Sequence, residues 1–148
     1  QPALPYLGDR EVVRSADGSA DTLFHTVPKF ALTDQLGREC SHRDVEGKVR
    51  LVDAFFTACP TICPVISSQL ARVHDRLAAD GLSDRVALLT ALASDTAAGG
   101  FFHSDQILIV DAEGHIRGTY DGTKTSDVDR MLENVYGLLA RTDARNMP

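Results

Sequence analysis

The sequence has no tryptophan and only three cysteines among its 148 residues. Three cysteines are too few for the disulfide framework of a small secreted scaffold, so a hydrophobic core has to stabilise the fold. No apolar run approaches the roughly 18 residues needed to span a bilayer. Residues 1–5 have neither the basic nor the apolar region of a signal peptide, so we expect any signal or membrane anchor to lie outside this sequence.

Basic residues are also in the minority. The chain has 15 lysines and arginines against 21 acidic residues, a formal net charge of −6. This balance provides no electrostatic surface for phosphate backbones, and we expect no nucleic-acid partner. The hydrophobic content of 43% and charged content of 24% are ordinary for a globular protein. The length therefore predicts a single domain over residues 1–148.

Periodicity along the chain predicts alternating strands and helices. Apolar and β-branched runs indicate strands, and apolar steps of three and four residues indicate helices. We expect an irregular lead-in at 1–28 and a flexible tail at 142–148. Between them we expect a hairpin at 29–32 and 38–40, followed by strands at 49–56, 86–92, 106–111 and 116–120. One helix is expected from Pro64 to about 80, and a second opens at 126–129 with a capping-box-like pattern. This order predicts an α/β domain with a mixed sheet flanked by helices, the layout of thioredoxin-like folds.

Two cysteines share the turn between a predicted buried strand and the first predicted helix. Residues 57–64 read Thr-Ala-Cys-Pro-Thr-Ile-Cys-Pro. Pro64 suits the first helical position, which puts Cys63 at or near the N-cap with Cys59 just upstream. The positive end of the helix dipole favours thiolates, which attack disulfides and bind soft metals. The spacing leaves both a disulfide and a metal site open, and two inert buried cysteines are the plainer alternative.

Two further polar or reactive side chains precede this turn. Cys40 ends a short predicted strand and is most simply a core or edge residue. Asp53 interrupts an apolar strand and would be costly to bury unpaired, so it either points to solvent or has a partner. We favour a structural hydrogen bond for Asp53 over a role in tuning the cysteines.

Several segments resemble the Sco (SenC) family, whose members help assemble the copper centre of cytochrome c oxidase. The resemblance rests on residues 55–64, 25–30, 47–49, 103–114 and 120–123. It implies a thioredoxin-like fold and copper ligands at Cys59, Cys63 and His103. Two thiolates and an imidazole suit Cu(I) and accept Cu(II) with added ligands, although zinc is a competitor. His25, His42, His74 and His115 are expected to be structural or solvated.

One departure from the family pattern lies before the histidine. Family members usually have a further helix and strand there, whereas Thr90 is followed almost directly by Gly99 and then His103. We therefore expect a fold shortened by about one βα unit, either because the natural chain is shorter there or because residues are missing from this sequence. That shortening bears on how close His103 lies to the cysteines.

The resemblance implies a metallochaperone that takes copper from a donor protein and delivers it to the binuclear copper site of the oxidase. It also implies an extracytoplasmic location, on the periplasmic side of a membrane to which an N-terminal segment outside this sequence anchors the domain. The alternative is a thiol-disulfide oxidoreductase that reduces the oxidase cysteines with Cys59 and Cys63 alone. A thiol peroxidase ranks third, because it needs one cysteine and leaves His103 unexplained.

Overall fold

The computed structural model describes residues 3–55, 61–92 and 105–147. These residues form eight strands, two α-helices and one 3-10 turn at His42–Val45. The strands are β1 (Arg10–Arg14), β2 (Ala20–Phe24), β3 (Ala31–Thr33), β4 (Glu39–Ser41), β5 (Val49–Phe55), β6 (Val86–Leu92), β7 (Gln106–Val110) and β8 (Ile116–Asp121), and the helices are α1 (Ile62–Ala79) and α2 (Thr125–Asn146).

The central sheet has four strands in the order β6-β5-β7-β8. β5 runs parallel to β6 and antiparallel to β7, and β8 runs antiparallel to β7. Both helices pack on one face, where their apolar stripes meet alternate residues of the strands. The fully buried core side chains are Val49, Leu51, Val73, Leu77, Ile107, Ile109, Val128, Met131 and Val135. The predicted thioredoxin-like mixed sheet flanked by helices is confirmed.

The first helix begins earlier than predicted. It starts at Ile62 with Thr61 as its N-cap, so Pro64 is the third helical residue rather than the first. The first turn tolerates proline throughout because its amides have no intrahelical acceptors. From there the helix follows the predicted periodicity to Ala79 and presents one buried stripe to the sheet.

The second helix differs from its prediction at both ends. Its N-cap is Lys124, which makes no side-chain capping bond, so the predicted capping box at 126–129 is wrong. Asp127 Oδ2 instead accepts a hydrogen bond from the backbone amide of Asp121 at 2.6 Å. The predicted flexible tail at 142–148 is also wrong for residues 142–146, which are helical. Asp143 contributes to this last turn by pairing with Arg85 at 2.6 Å.

The expectation of an irregular lead-in at 1–28 is wrong in part, because β1 and β2 form an antiparallel hairpin there. Gly18 supplies the left-handed conformation in its turn, with φ of +84°. Nearly every residue of these two strands is exposed, so neither carries the alternation of buried and exposed residues that predicts a strand. The hairpin predicted at 29–32 and 38–40 is confirmed and consists of β3 and β4.

The predicted shortening falls on residues 93–104, which lie outside the described residues. The ends of β6 and β7 lie on either side of β5, so they are two strand spacings apart, about 10 Å. A short connection spans that distance easily, at roughly 3.3 Å per extended residue. Neither described α-helix has the length and apolar character needed to cross a membrane.

Candidate functional site

The candidate site lies at the end of the central sheet where β5, β6 and β8 finish and β7 begins, called here the carboxyl end. Phe55 pairs with Leu92 at this end, and Gln106 pairs with Asp121. The chain leaves β5 here toward the cysteine turn and enters β7 here after the histidine segment. Chain direction and register thus put the last described residue before the cysteine turn and the first strand after the histidine segment at the same end of one sheet.

Cys63 is the predicted ligand that the structure describes. It is the second residue of α1 and is only 7% exposed. It shares the buried stripe of the helix with Ile66 and Leu70, so it lies on the face that packs against the sheet. The positive end of the helix dipole favours a thiolate at this position, whereas burial opposes one. A bound cation would tip that balance toward the thiolate.

Cys59 and His103 lie outside the described residues. The described chain stops at Phe55 before the first and resumes at Asp105 after the second. Their assignment as ligands therefore stays a prediction, as does the ligand role of Cys63.

A buried carboxylate lies on the same face of the sheet. Asp53 is 6% exposed, and its side chain lies on the same face of β5 as those of Val49 and Leu51, which pack under the helices. Thr90 Oγ1 donates to Asp53 Oδ1 at 2.7 Å. Burial raises the pKa of Asp53 above its ordinary value of 3.8, and the bond from Thr90 partly offsets the rise. Thr90 is therefore the hydrogen-bond partner that the sequence predicted for a buried Asp53.

The loop after β8 adds a hydrogen-bonded acidic turn to the carboxyl end. Thr123 donates to Asp121 Oδ1 through its backbone amide at 2.9 Å and through its hydroxyl. Lys124 Nζ lies 3.0 Å from the other carboxylate oxygen. These donors, the Thr123 hydroxyl first among them, lower the pKa of Asp121 to about 2. Asp121 therefore stays ionised and holds the turn in one conformation at neutral pH.

Gly122 ties this turn to the strand that follows the histidine segment. Its amide donates to the carbonyl of Asp105 at 2.7 Å. A Cβ atom at Gly122 would lie 3.0 Å from Ile107 and 3.1 Å from Ile66, so only glycine fits without displacing both side chains. Sequence reasoning gave this turn no role. The signals in the sequence are the Asp-Gly-Thr run, which is typical of a tight turn, and the family resemblance at residues 120–123.

Cys40 lies in β4 and is half-buried. Its side chain lines a cavity together with Val52 and Val110, which belong to the face of the sheet opposite the helix-packed one. Cys63 lies on the helix-packed face, so the sheet separates the two cysteines. This placement agrees with the predicted core or edge role of Cys40.

The four histidines predicted to be structural or solvated have contacts of that kind. His25 packs against Gly8, His42 contacts the carbonyl oxygen of Phe30 at 3.2 Å, and His74 is 64% exposed. His115 lies at the opposite end of the sheet from Cys63, beside Asp111 and Glu113. Arg117 and Arg145 already pair with those two carboxylates, which makes the cluster a poor cation site.

A family model described as SCO1/SenC matches residues 19–92. A curated relative, the SCO1 protein homolog of Bacillus subtilis (strain 168), is 32% identical over 66 residues. That match covers 45% of this chain and 34% of the relative. The matching segment thus spans about a third of the length of that curated relative.

Solved structures share the fold. A SCO1/SenC family lipoprotein from Bacillus anthracis str. Ames has a TM-score of 0.63 at 17% identity, covering 77% of this chain and 95% of that one. BsSco, described as a member of the Sco family of cytochrome c oxidase assembly proteins, has a TM-score of 0.62 at 17% identity, with coverages of 76% and 92%. Copper-bound ScoI of Arabidopsis thaliana has a TM-score of 0.57 at 17% identity, with coverages of 77% and 98%.

Proposed function

The chain belongs to the SCO1/SenC family, and on that premise we propose that it holds copper through Cys59, Cys63 and His103 and transfers it during assembly of cytochrome c oxidase. The observation that carries this proposal is the shared carboxyl end of the sheet. Cys59 follows the end of β5 by four residues, and His103 precedes the start of β7 by three. The two strands that flank these segments in sequence, β5 and β7, are paired with each other in the sheet.

The donor set favours copper over harder cations. Cysteine thiolates are soft ligands that select Cu(I), and imidazole serves both copper oxidation states. Zinc also accepts this set, but structural zinc sites have four protein ligands. Three protein donors leave one coordination position of the ion open. A ligand from an acceptor protein can bind there before the donors of this chain dissociate. That feature suits a transfer site.

The position of Cys63 suits both holding and releasing the ion. The first turn of α1 supplies a rigid support, because Ile66 and Leu70 anchor the same face of the helix in the core. Cys63 is only 7% exposed, and a site of low exposure to water strengthens the attraction between thiolate and cation. Protons compete with copper for the thiolate, so release becomes easier as pH falls.

The cargo passes from a copper donor protein to the subunit that holds the binuclear copper site of the oxidase. Family membership and two named relatives support this step: BsSco is described as an oxidase assembly protein, and ScoI is described with copper bound. An extracytoplasmic location, with an N-terminal anchor, belongs to the same proposal. The Bacillus anthracis relative is described as a lipoprotein.

Anaerobic titration of the fully reduced chain with Cu(I), in competition with a chelator, tests the proposal. We expect one copper per chain, and no binding after oxidation to a Cys59–Cys63 disulfide, because only thiolates are competent ligands. Cys40→Ser is the matched control, since Cys40 lies across the sheet from Cys63, and it should bind copper as the wild type does. Full binding by the verified disulfide form would contradict the site.

A second function is thiol-disulfide exchange, favoured by the place of Cys63 in the first turn of a helix that follows a buried strand. In this reaction the Cys59 and Cys63 thiols become a disulfide while a disulfide of the target becomes two thiols. The two protons lost here are gained there, so no further reductant enters the step. The reaction needs no imidazole, and His103 therefore separates the two functions.

A further inference from the structure

A groove lies on the face of the central sheet that the two helices leave uncovered, between that face and the β3–β4 hairpin. It encloses a cavity of about 250 Å³. Its lining comes from the hairpin and the residues just before it, from Arg50 and Val52 of β5, from residues 88–91 of β6 and from Val110 of β7. The lining residues of this back-face groove include Phe30, Leu32, Cys40, Val52, Ala91 and Val110.

Arg50 also lines the groove and carries a positive charge. Its residue is 7% exposed, and its Nε donates to the carbonyl of Val45 at 3.2 Å. Its two terminal nitrogens, Nη1 and Nη2, have no hydrogen-bond or ion-pair partner in the described part of the chain. Neither terminal nitrogen is cut off from solvent, so the charged end of this otherwise buried side chain stays accessible.

The other buried charged residues in the described ranges are satisfied. Asp111 and Arg117 pair with each other at 2.9 Å, and Asp53 accepts from Thr90. Asp34 also lines the groove, but Arg38 holds it at 2.9 Å and, by donating its backbone amide, lowers its pKa. The Arg50 guanidinium is therefore available for an anionic ligand.

We propose that the back-face groove binds a small monocarboxylate with an apolar body. Its carboxylate accepts from the terminal nitrogens of Arg50, which match a carboxylate in the bidentate geometry that guanidinium favours. Its apolar body lies against Phe30, Leu32 and Val110. The volume is slightly below the usual 300–1,000 Å³ of ligand pockets, so the ligand is smaller than a drug-sized molecule.

The groove is open to solvent and lies across the sheet from Cys63. Leu32, on the hairpin side, is 57% exposed, so a ligand enters without unfolding the hairpin. The sheet stands between the groove and Cys63. The proposal therefore goes beyond the copper function and does not depend on it.

Octanoate is a suitable probe, with octanol as the matched compound that lacks the carboxylate. We expect saturable octanoate binding to the metal-free reduced chain with a Kd of roughly 0.1–1 mM, because a ligand of this size supplies little contact energy. Octanol should bind at least tenfold more weakly, since a hydrogen bond to a charged group is lost. Alkylation of Cys40, followed by peptide mass spectrometry, should slow as octanoate saturates the groove.

Variants locate the site. Arg50→Met should weaken octanoate binding tenfold or more and bring it to the level of octanol. Ala91→Phe should fill the groove from an exposed position on the edge strand and abolish both binding and Cys40 protection. Ala71→Phe places the same side chain at an exposed position of α1, on the other side of the sheet, and should change neither.

The proposal fails if octanoate shows no saturable binding to the folded wild type. It also fails if octanol binds as tightly as octanoate, or if Ala91→Phe leaves both readouts unchanged. Should Arg50→Met not fold, the comparison of octanoate with octanol and the paired Ala→Phe variants still decide the question.

Discussion

Thr90 Oγ1 lies 2.7 Å from Asp53 Oδ1, and this hydrogen bond joins two parallel strands beneath the helices. The two residues are paired in register, so their side chains leave neighbouring strands on the same face. Asp53 is two residues from the end of β5, and beyond that end the chain enters the cysteine turn. A buried charge with one side-chain donor makes the strand pair sensitive to substitution and to pH.

Thr90→Val should destabilise the chain by about 1–3 kcal/mol, because it keeps the shape of the side chain and removes the donor to a buried charged group. The measurement is the free energy of unfolding in urea at pH 7. Thr119→Val is the control, because Thr119 is exposed on β8 and should change stability by less than about 0.5 kcal/mol. Equal losses in the two variants would contradict the role of the bond.

Asp53→Asn should become more stable relative to the wild type as pH rises. The folded wild type has a raised pKa at Asp53, so it binds this proton more tightly than the unfolded chain, whose carboxyl has the ordinary value of 3.8. Wild-type stability therefore falls as pH rises from 3.8 through the folded pKa, and the loss is constant above it. Unfolding titrations of both proteins from pH 3 to pH 7 give the difference. A difference that does not vary with pH would show that burial does not penalise the ionised form.

Asp121→Asn should show the opposite pH dependence. Hydrogen bonds from Thr123 and Lys124 lower the pKa of Asp121 to about 2, so its contribution to stability is present above about pH 4 and is lost as pH falls toward 2. Wild type and variant should differ at pH 6 and converge near pH 2. Thr123→Val removes the hydroxyl donor and should raise the Asp121 pKa, measured by NMR titration of the carboxyl carbon. An unchanged pKa there would overturn the assigned cause.

His103→Ala separates the two proposed functions. If His103 is a ligand, the variant should bind Cu(I) more weakly, through two thiolates, and should lose Cu(II) more completely, because imidazole suits Cu(II). Its rate of disulfide exchange with a model substrate should stay within about twofold, since the helix dipole acts on the cysteines without the histidine. Both quantities should be measured on one preparation, with His74→Ala as an exposed-histidine control. Wild-type affinity for both copper states would remove His103 from the site and leave the oxidoreductase function ahead.

Local pattern was enough to predict the elements that carry the site. The apolar run of β5, the helical periodicity after Pro64 and the run of β6 depend on neighbours in sequence, and the structure has all three near the predicted bounds. Those same elements predicted that Cys63 lies at the start of a helix. Features without such a pattern were missed, as in the exposed hairpin β1–β2, or misplaced, as in the capping box assigned to α2 when it is Ser41 and Asp44 that form one.

The sequence by itself determined the order of strands and helices from β3 to α2 and the position of Cys63 near a helix start, because both follow from local spacing of apolar residues. It also determined that Asp53 needs a partner if buried. Only the tertiary structure decided that the partner is Thr90, which lies 37 residues away in sequence, and that the terminal nitrogens of Arg50 have no ion-pair partner within residues 3–55, 61–92 and 105–147. Strand pairing decides these contacts, because it brings together residues that are far apart in sequence and that no local pattern relates.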